Sequence, residues 1–380
     1  MEDGIYFGLP EDEYHRIERF SGSGAQAMLV SPATFWAGSW LNPEKAKAAE
    51  EGTEDAKAHQ IIGRAYHKAR LEPELFVQIY YRGLRLADYP DALTTHDAIK
   101  EKLGELGQPK TTAGEKVMSA ALRLRDAGYT KPIKHLLEED HASAFDPSWQ
   151  IELPWMAYDQ IAADIEALHD NAAIQPYLRE GISEVTVLWT DDKGVKWKCR
   201  FDRLQIQRIV DLKTFDNTRG KTLEQCLYDA VQYNRYHIQA YVYWTAAELI
   251  RAGKLKIRKC QSQEQKDLIE AIRASEDPFE YWWVFQEKNG IPNVLARRLI
   301  MTEEPHPSHL AQAPTPETRK ALAKKLRSPS MIWEKAGLEV KHARDLLLQC
   351  LEIWPTGKWG SLHPVGEMDD EGFNQHWLGK

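Results

Sequence analysis

The chain has 380 residues and a net charge of −8, with 49 basic and 57 acidic side chains. Its four cysteines are dispersed and include no Cys-x-x-Cys pair, which argues against a disulfide framework and against a zinc site. The sequence contains no run of eighteen apolar residues, and its amino terminus shows no signal-peptide pattern. We therefore expect a cytoplasmic protein without a membrane partner, large enough to bury one large core or two modest ones.

The first half of the chain is predicted to be mainly helical. Apolar spacing predicts helices at residues 23–40, 57–71, 113–127 and 158–169, and a β-rich run predicts a strand at 76–82. The second helix carries Gly63 one turn before His67. A single histidine on a helix is more often a structural residue than a ligand, so the sequence leaves both roles open for His67.

Residues 184–214 predict an antiparallel meander. Three runs rich in β-branched and aromatic residues, at 184–189, 196–204 and 208–214, are separated by turn residues at 191–194 and a polar break at 205–207. Residues two apart on a strand share a face. Asp211 and Lys213 should therefore project together, and Asp202 should face them from the neighbouring strand.

These residue types suit metal-assisted hydrolysis of a phosphodiester. Carboxylates from adjacent strands can bind a hard divalent cation and leave positions open for a water and a phosphate oxygen. An ammonium beside that water favours hydroxide and stabilises negative charge in the transition state. The pair of Asp211 and Lys213 alone would more often be a solvated strand face, so its significance depends on its neighbours.

A predicted helix at 228–250 places three polar or aromatic side chains on one face. Tyr236, Gln239 and Tyr243 lie at positions i, i+3 and i+7. They are either satisfied core residues or groups that hold the attacking water and the phosphate. The sequence alone leaves both alternatives open.

The carboxyl-terminal part is predicted to contain a basic helix beyond residue 250, a strand at 281–287 and a linker at 304–318 that contains four prolines. Helices at 319–327 and 338–353 follow, with Trp354, Trp359 and Trp377 near the end. Because every candidate site residue precedes the linker, we expect removal of residues 304–380 to spare the motif-bearing part.

The order of these motifs resembles the PD-(D/E)xK nuclease superfamily, and within it the RecB-like group. The shared series is the 63–67 histidine motif, then Glu184, Asp202, Asp211 with Lys213, and Gln239 with Tyr243. Residues 14–35, with Tyr14-His15, Phe-Ser-Gly-Ser at 20–23 and Ser-Pro-Ala-Thr-Phe at 31–35, look like the start of the RecE-type (exonuclease VIII) nuclease domain. Residues beyond about 300 have no counterpart in that family.

The resemblance implies an α/β restriction-endonuclease-like core, with a mixed central sheet flanked by helices, a helical amino-terminal part and a helical carboxyl-terminal tail. The implied division is a nuclease domain at 1–303, a linker at 304–318 and a tail at 319–380. The implied metal ligands are His67, Asp202, Asp211 and the backbone carbonyl of Leu212.

The same resemblance implies catalytic roles. Lys213 would be the catalytic lysine, and Gln239 and Tyr243 would orient the lysine or water and the DNA backbone. Glu184 matches the glutamate that opens the family's first core strand, and whether it touches metal stays open. The early cysteine of iron-sulfur relatives is missing, so no iron-sulfur cluster is expected.

The implied activity is that of a Mg²⁺- or Mn²⁺-dependent DNA exonuclease that resects double-stranded DNA ends for recombination. Such an enzyme would be encoded by a phage or prophage, act beside a single-strand annealing protein and form a homo-oligomer. Two alternatives remain. One is a structure-specific or defence-related endonuclease on the same fold, and the other is a non-catalytic module that binds DNA ends.

Local charge predicts where DNA would bind. Residues 181–221 carry a local charge of +3 and residues 251–273 a charge of +4, although the whole chain is acidic. The predicted DNA-contacting residues are Lys196, Lys198, Arg200, Arg203 and Tyr236. The alternative is that each basic run is an ordinary solvated face.

Overall fold

The computed structural model describes residues 1–45, 58–112, 114–217, 220–288, 293–303, 315–319, 322, 328–360 and 362, the side chains of 58–60 and 303 excepted. Most of the predicted linker at 304–318, most of the predicted helix at 319–327, and Trp377 lie outside these residues. Within them, no helix combines the length and the apolar character needed to cross a membrane.

The chain forms two compact units. The first comprises residues 1–55 and 171–380, and the second comprises residues 56–170. This division differs from the predicted one, which placed a boundary at 303/304. Residues 56–170, which form the second unit, are numerous enough to bury apolar clusters of their own.

A seven-stranded mixed sheet forms the centre of the first unit. In spatial order its strands are β7, β1, β4, β5, β6, β8 and β9. The bounds are β1 Gly4–Tyr6, β4 Ile182–Thr190, β5 Lys196–Leu204, β6 Arg208–Phe215, β7 Ile257–Lys259, β8 Glu280–Glu287 and β9 Val294–Leu299. β1 pairs parallel with β7 and β6 pairs parallel with β8, and the remaining neighbours are antiparallel.

The predicted meander is confirmed. β4, β5 and β6 follow one another as antiparallel neighbours, and the chain reverses between β4 and β5 where the Asp191 carboxylate accepts the backbone N–H groups of Lys193 and Val195. Gly194 has a φ of 81°, a conformation that favours glycine and closes this turn. The strands that carry the candidate site are therefore fixed by local turn chemistry.

Helices cover this sheet. The helices of the first unit are α1 Glu11–Arg16, α2 Gly22–Val30, α3 Pro32–Gly38, α10 Gln175–Arg179, α11 Leu223–Tyr233, α12 Tyr236–Arg251, α13 Gln263–Ala274 and α14 Met331–Ile353. The predicted helix at 23–40 is two helices because Ser31 caps the second and Pro32 begins it. The predicted helix at 228–250 is likewise two, interrupted at Asn234 and Arg235.

The last described helix belongs to the main core. Trp333, Leu347 and Cys350 of α14 are buried in the same apolar cluster as the central sheet, and Trp359 beyond the helix is only 4% exposed. Removing this segment would expose apolar surface that the sheet and α12 now share. The structure thus argues against the expectation that residues 304–380 can be removed without effect on the core.

The second unit is mainly helical. Its helices are α4 Ala58–Leu71, α5 Pro73–Ile79, α6 His96–Glu105, α7 Val117–Asp126, α8 Lys134–Ala144 and α9 Trp155–Asp170, and its strands are β2 Tyr80–Arg82 and β3 Ile151–Leu153. The predicted strand at 76–82 is wrong for its first part. Pro73 at the first turn starts a helix through Ile79, and only the last three residues pair as a strand.

Two short strands and a 3₁₀ helix at Leu86–Asp88 complete the list of described elements. β10 Thr302–Glu303 pairs antiparallel with β11 Ser328–Pro329. This pairing brings the chain to the start of α14, whose Ser330 side chain accepts the backbone N–H of Trp333 as a cap. The apolar face of α14 is thereby directed onto the core from its first turn.

Candidate metal and catalytic site

Asp202 and Asp211 meet where β5 and β6 separate. The two strands pair through Arg203 with Val210 and Leu204 with Ile209, and the same register continued by one residue sets Asp202 opposite Asp211. At that point the ladder ends, and Asp202 Oδ2 instead accepts the backbone N–H of Leu212 at 2.7 Å. Both aspartates are buried, Asp211 completely.

Glu184 joins this pair from the other side of β5. Ser183 pairs with Arg203 and Val185 with Phe201, so the register sets Glu184 opposite Asp202. A carboxylate oxygen of Glu184 lies within 4.8 Å of one of Asp202. Glu184 has a φ of 57°, a left-handed conformation that is costly for a residue with a side chain. Arg200 Nη1 donates to Glu184 Oε2 at 3.1 Å.

Lys213 contributes the positive charge of the cluster. Its ammonium donates to Asp211 Oδ1 at 2.7 Å and lies 2.7 Å from Oδ2, which it approaches outside hydrogen-bonding geometry. The Lys213 Nζ also lies 4.9 Å from the centre of the Tyr236 ring, a cation–π contact. The predicted shared face of Asp211 and Lys213 is therefore present.

The environment shifts the pKa of both partners upward. Burial is the main cause that raises the pKa of Asp211 to about 6, and the charge of Asp202 adds to it while Lys213 opposes it. Burial alone would lower the pKa of Lys213, but the charges of Asp211 and Asp202 outweigh it and raise that pKa above its ordinary value. Lys213 thus stays an ammonium.

Gln239 and Tyr243 reach the same cluster from α12. Gln239 Nε2 donates to the Tyr243 hydroxyl at 2.8 Å and approaches Asp211 Oδ1 at 3.4 Å. Gln239 is positioned by close packing against α2, because a Cβ atom added at Gly22 would lie 3.1 Å from the Gln239 Cα. Both residues predicted to orient the catalytic groups are therefore beside the aspartates.

Tyr281 is a site residue that the sequence analysis did not identify. It lies on β8, is fully buried, and its ring centre is 6.5 Å from that of Tyr243. Burial and the neighbouring charge of Asp211 raise the pKa of its hydroxyl well above the ordinary value. That hydroxyl makes no well-aligned hydrogen bond in the described part of the protein. The parallel pairing of β6 with β8, which is not apparent in the sequence, brings it there.

The predicted DNA-contacting residues of β5 differ in exposure. Lys198 and Arg200 are each 8% exposed. Lys198 donates to the carbonyls of Tyr14, His15 and Ile17, and Arg200 donates to Leu9 and Thr186 besides Glu184. Their cationic groups therefore hold the amino-terminal segment onto the sheet, a geometry that argues against direct phosphate contact.

The two remaining cations of β5 have separate surroundings. Arg203 donates to the carbonyls of Glu180 and Gly181. Lys196, at the start of the strand, is exposed. A DNA-binding role for these two side chains stays a prediction.

His67 lies on α4 of the second unit. Its predicted role as a metal ligand stays a prediction. The neighbouring Tyr66 donates its hydroxyl hydrogen to the buried Asp164 at 2.6 Å, and the Arg70 guanidinium lies 5.3 Å from the Tyr66 ring centre. These contacts fix the helical segment that carries the histidine motif.

The donor set of the first unit fits a hard divalent cation. Three carboxylates converge on β5 and its two neighbours, and Asp211 Oδ2 is buried without a well-aligned donor among the described residues. Oxygen donors that leave room for water are the set that Mg²⁺ and Mn²⁺ accept. Buried like charges also repel one another until a cation compensates them. Glu184, Asp202 and Asp211 would hold such an ion.

Among the comparisons with known proteins, the match to a family model agrees with this assignment. None of the curated proteins compared with this chain matches it. A crystal structure described as a candidate exonuclease from Eubacterium rectale is 13% identical, with a TM-score of 0.29 over 70% of this chain and 88% of that chain. That likeness is too low to bear on fold or function.

A family model described as a PDDEXK-like domain of unknown function (DUF3799) matches residues 42–260. This span includes the helix of His67, the meander and the helix of Gln239. The match supports a nuclease of the PD-(D/E)xK superfamily, whereas the RecE-type subgroup stays a prediction. Since the match covers more than half of the chain, the protein belongs to this family of PDDEXK-like domains.

Proposed function

We propose that this protein is a divalent-metal-dependent deoxyribonuclease. The observation that carries the proposal is the contact of the partly buried Lys213 ammonium with the fully buried Asp211, 2.7 Å away, beside Asp202. A largely desolvated lysine paired with a buried carboxylate is costly to maintain and contributes little to stability on its own. A lysine in this position can stabilise the negative charge that develops during a reaction.

Each residue of the cluster has a role in phosphodiester hydrolysis. The oxygen of a water forms a bond to phosphorus, the bond from phosphorus to the leaving oxygen breaks, and that oxygen takes up a proton. Lys213 favours the hydroxide form of the attacking water and stabilises the negative charge that builds on the phosphate. Gln239, through its bonds to Tyr243 and Asp211, holds this end of the site in a fixed orientation.

A Mg²⁺ or Mn²⁺ ion bound by Asp202 and Asp211 would supply Lewis-acid polarisation of the phosphate and lower the pKa of a bound water. Glu184 and the backbone carbonyl of Leu212 are further candidate ligands. We propose that either Mg²⁺ or Mn²⁺ can serve as this ion.

The preference for DNA ends is the finer part of the proposal and rests on the resemblance to RecE-type nucleases. A phosphodiester site by itself would cleave any strand placed on it, so end preference requires a channel that admits a terminus. We propose a homo-oligomer that forms such a channel, as the resemblance implies. Resection for recombination beside a single-strand annealing protein, encoded by a phage or prophage, completes this proposal.

A comparison of DNA topologies tests the function. Linear duplex, nicked circle and covalently closed circle are incubated with the protein in Mg²⁺, in Mn²⁺ and in chelator, with the Lys213→Ala variant in parallel. We expect degradation of linear duplex in both metals, sparing of closed circles, and no degradation in chelator. Rapid cleavage of closed circles would instead establish an endonuclease. DNA binding without cleavage in either metal would overturn the nuclease assignment and favour a DNA-end binding module.

A further inference from the structure

The turn that joins α11 to α12 has an unusual backbone and lies close to Lys213. This segment, residues 233–236, interrupts what the sequence predicts as one helix. Arg235 has a φ of 50° and a ψ of 42°, a left-handed conformation rarely adopted by a residue with a side chain. Gln26 of α2 donates its side-chain N–H to the Arg235 carbonyl at 3.0 Å and stabilises this conformation. The turn is therefore built into the fold by a contact from another helix.

The turn presents an aromatic ring and a cation toward solvent. Tyr233 is 77% exposed, the second most exposed of the large apolar or aromatic side chains in the described part of the chain. The Arg235 guanidinium is partly exposed and makes no ion pair or hydrogen bond with a described residue. Two other cations of the first unit have acidic partners, since Lys221 pairs with Asp229 and Arg297 pairs with Glu224.

The same turn is tied to the catalytic cluster by its last residue. The Tyr236 ring centre is 4.9 Å from Lys213 Nζ, and consecutive Cα atoms are about 3.8 Å apart. Arg235 and Tyr233 are therefore one and three residues from a side chain that touches the proposed catalytic lysine. A DNA strand advances about 3.4 Å per nucleotide along its axis. A strand whose phosphate lies at Lys213 would have its next nucleotides within reach of this turn.

We propose that the 233–236 turn is the contact surface for the DNA strand beside the cleaved phosphate. Arg235 binds a neighbouring phosphate, and the exposed ring of Tyr233 stacks on a base. The inference rests on the proposed function for its placement of the strand. A cation without an ion-pair partner among the described residues, next to an exposed flat ring, complements a strand of phosphates and bases. Base stacking on aromatic rings is tolerant of sequence. Because Lys198 and Arg200 are buried, Arg235 in this turn is better placed than either of them to contact a phosphate near Lys213.

Binding measured without turnover tests the proposal. The Lys213→Ala protein serves as background, and its affinity for a fluorescent duplex with a short single-stranded overhang is measured by anisotropy at several salt concentrations. Arg235→Ala should weaken binding about tenfold and reduce the slope of log affinity against log salt by about 1. Tyr233→Ala should weaken binding by a similar factor, whereas Tyr233→Phe should retain the wild-type affinity because the ring remains.

The control variant is Arg298→Ala, a cation of the edge strand β9 that pairs with Glu280 and lies outside both basic stretches. It should change neither affinity nor salt slope. Unchanged binding in both Arg235→Ala and Tyr233→Ala would overturn the proposal, and so would loss of affinity in Tyr233→Phe equal to that in Tyr233→Ala. If the turn variants lose affinity but the unmodified protein cleaves no DNA, the contact surface stands and the nuclease assignment fails. If the unmodified protein cleaves DNA and the turn variants bind as the control does, only the contact surface fails.

Discussion

Glu184 lies opposite Asp202 across β4 and β5, and the two carboxylates approach within 4.8 Å in a largely buried setting. Like charges directly opposite one another on a sheet are destabilising. The left-handed backbone at Glu184, with its φ of 57°, adds a conformational cost at the same residue. Both costs are concentrated where the family's metal site is expected, which is the pattern of a site that trades stability for function.

The first prediction is that Asp202→Asn stabilises the metal-free protein. The amide keeps an oxygen that can accept the Leu212 N–H but removes the charge that faces Glu184. A gain of about 1 kcal/mol corresponds to a rise of about 1–2 °C in the melting temperature of a chain of this size. Calorimetry in chelator should show this rise, and addition of Mn²⁺ should then stabilise the wild type but not the variant.

Asp192→Asn is the matched control, because Asp192 is an exposed carboxylate of the β4–β5 turn. It should leave the metal-induced shift unchanged. A metal-induced shift of wild-type size in Asp202→Asn would mean that Asp202 is not a ligand.

The second prediction concerns Lys213→Ala. Loss of the ammonium removes the charge that stabilises the transition state, so the cleavage rate should fall on the order of a hundredfold or more. Titration calorimetry with Mn²⁺ should still detect metal binding, because the carboxylates remain. Lys335→Ala, at an exposed position of α14 outside both basic stretches, is expected to cleave like the wild type. Cleavage by Lys213→Ala at the wild-type rate would contradict the catalytic assignment.

Much of the candidate site could be predicted from the sequence because its parts are local in the chain. Alternation along β6 placed Asp211 and Lys213 on one face, and the short turn at 191–194 made β4 and β5 neighbours. Helical spacing placed Gln239 beside Tyr243 even though the predicted helix is broken before Tyr236. Each of these inferences needs only the residue spacing of a strand or helix, or the recognition of a short turn.

The parts that could not be predicted depend on contacts between distant segments. Tyr281 enters the site through the parallel pairing of β6 with β8, which are joined through three helices and β7. The burial of Lys198 depends on carbonyls some 180 positions earlier in the chain, so its charge alone suggested a solvated or DNA-binding face. The helix α14 likewise gains its place in the core from long-range packing that a proline-rich linker obscures.

The third prediction concerns Tyr281→Phe. The buried hydroxyl beside Asp211 makes no well-aligned hydrogen bond with the described residues, so its removal should leave stability unchanged or raise it by about 1 kcal/mol. Activity should nevertheless fall about tenfold, because the variant lacks the hydroxyl that lies beside Asp211 and orients this carboxylate. Calorimetry of Mn²⁺ binding distinguishes a purely structural role of the hydroxyl from a role in orienting Asp211. In the second case, which we expect, the Mn²⁺ affinity of the variant is weaker.

Tyr6→Phe provides the contrasting control for Tyr281→Phe. Tyr6 is also buried, but its hydroxyl donates to the Glu2 carbonyl at 2.8 Å. Loss of that bond should lower stability slightly and leave metal affinity unchanged. Equal metal affinity in Tyr281→Phe and the wild type would remove Tyr281 from the site.

The fourth prediction concerns the close approach of α2 to Gln239. An alanine Cβ at Gly22 would lie 3.1 Å from the Gln239 Cα, so the backbone of α12 must move by a few tenths of an ångström. Because misplacement of a positioning residue is costly to the rate, Gly22→Ala should lower kcat several-fold to about tenfold without unfolding the protein. Gly38→Ala is the control, since nothing lies within 4 Å of its added Cβ. Equal kcat in both variants would show that α12 does not need this spacing.

The fifth prediction concerns the carboxyl-terminal helix. Leu347 of α14 is 3% exposed within the main core, whereas Leu338 on the same helix is 68% exposed. Leu347→Ala should therefore lower the free energy of unfolding by about 2–5 kcal/mol through lost burial and a residual cavity. Leu338→Ala should change it by less than about 0.5 kcal/mol. Urea denaturation followed by tryptophan fluorescence measures both, and a truncation before Met331 should be less stable than Leu347→Ala. Equal stability of the two leucine variants would show that α14 is a separable tail and does not contribute to the stability of the core.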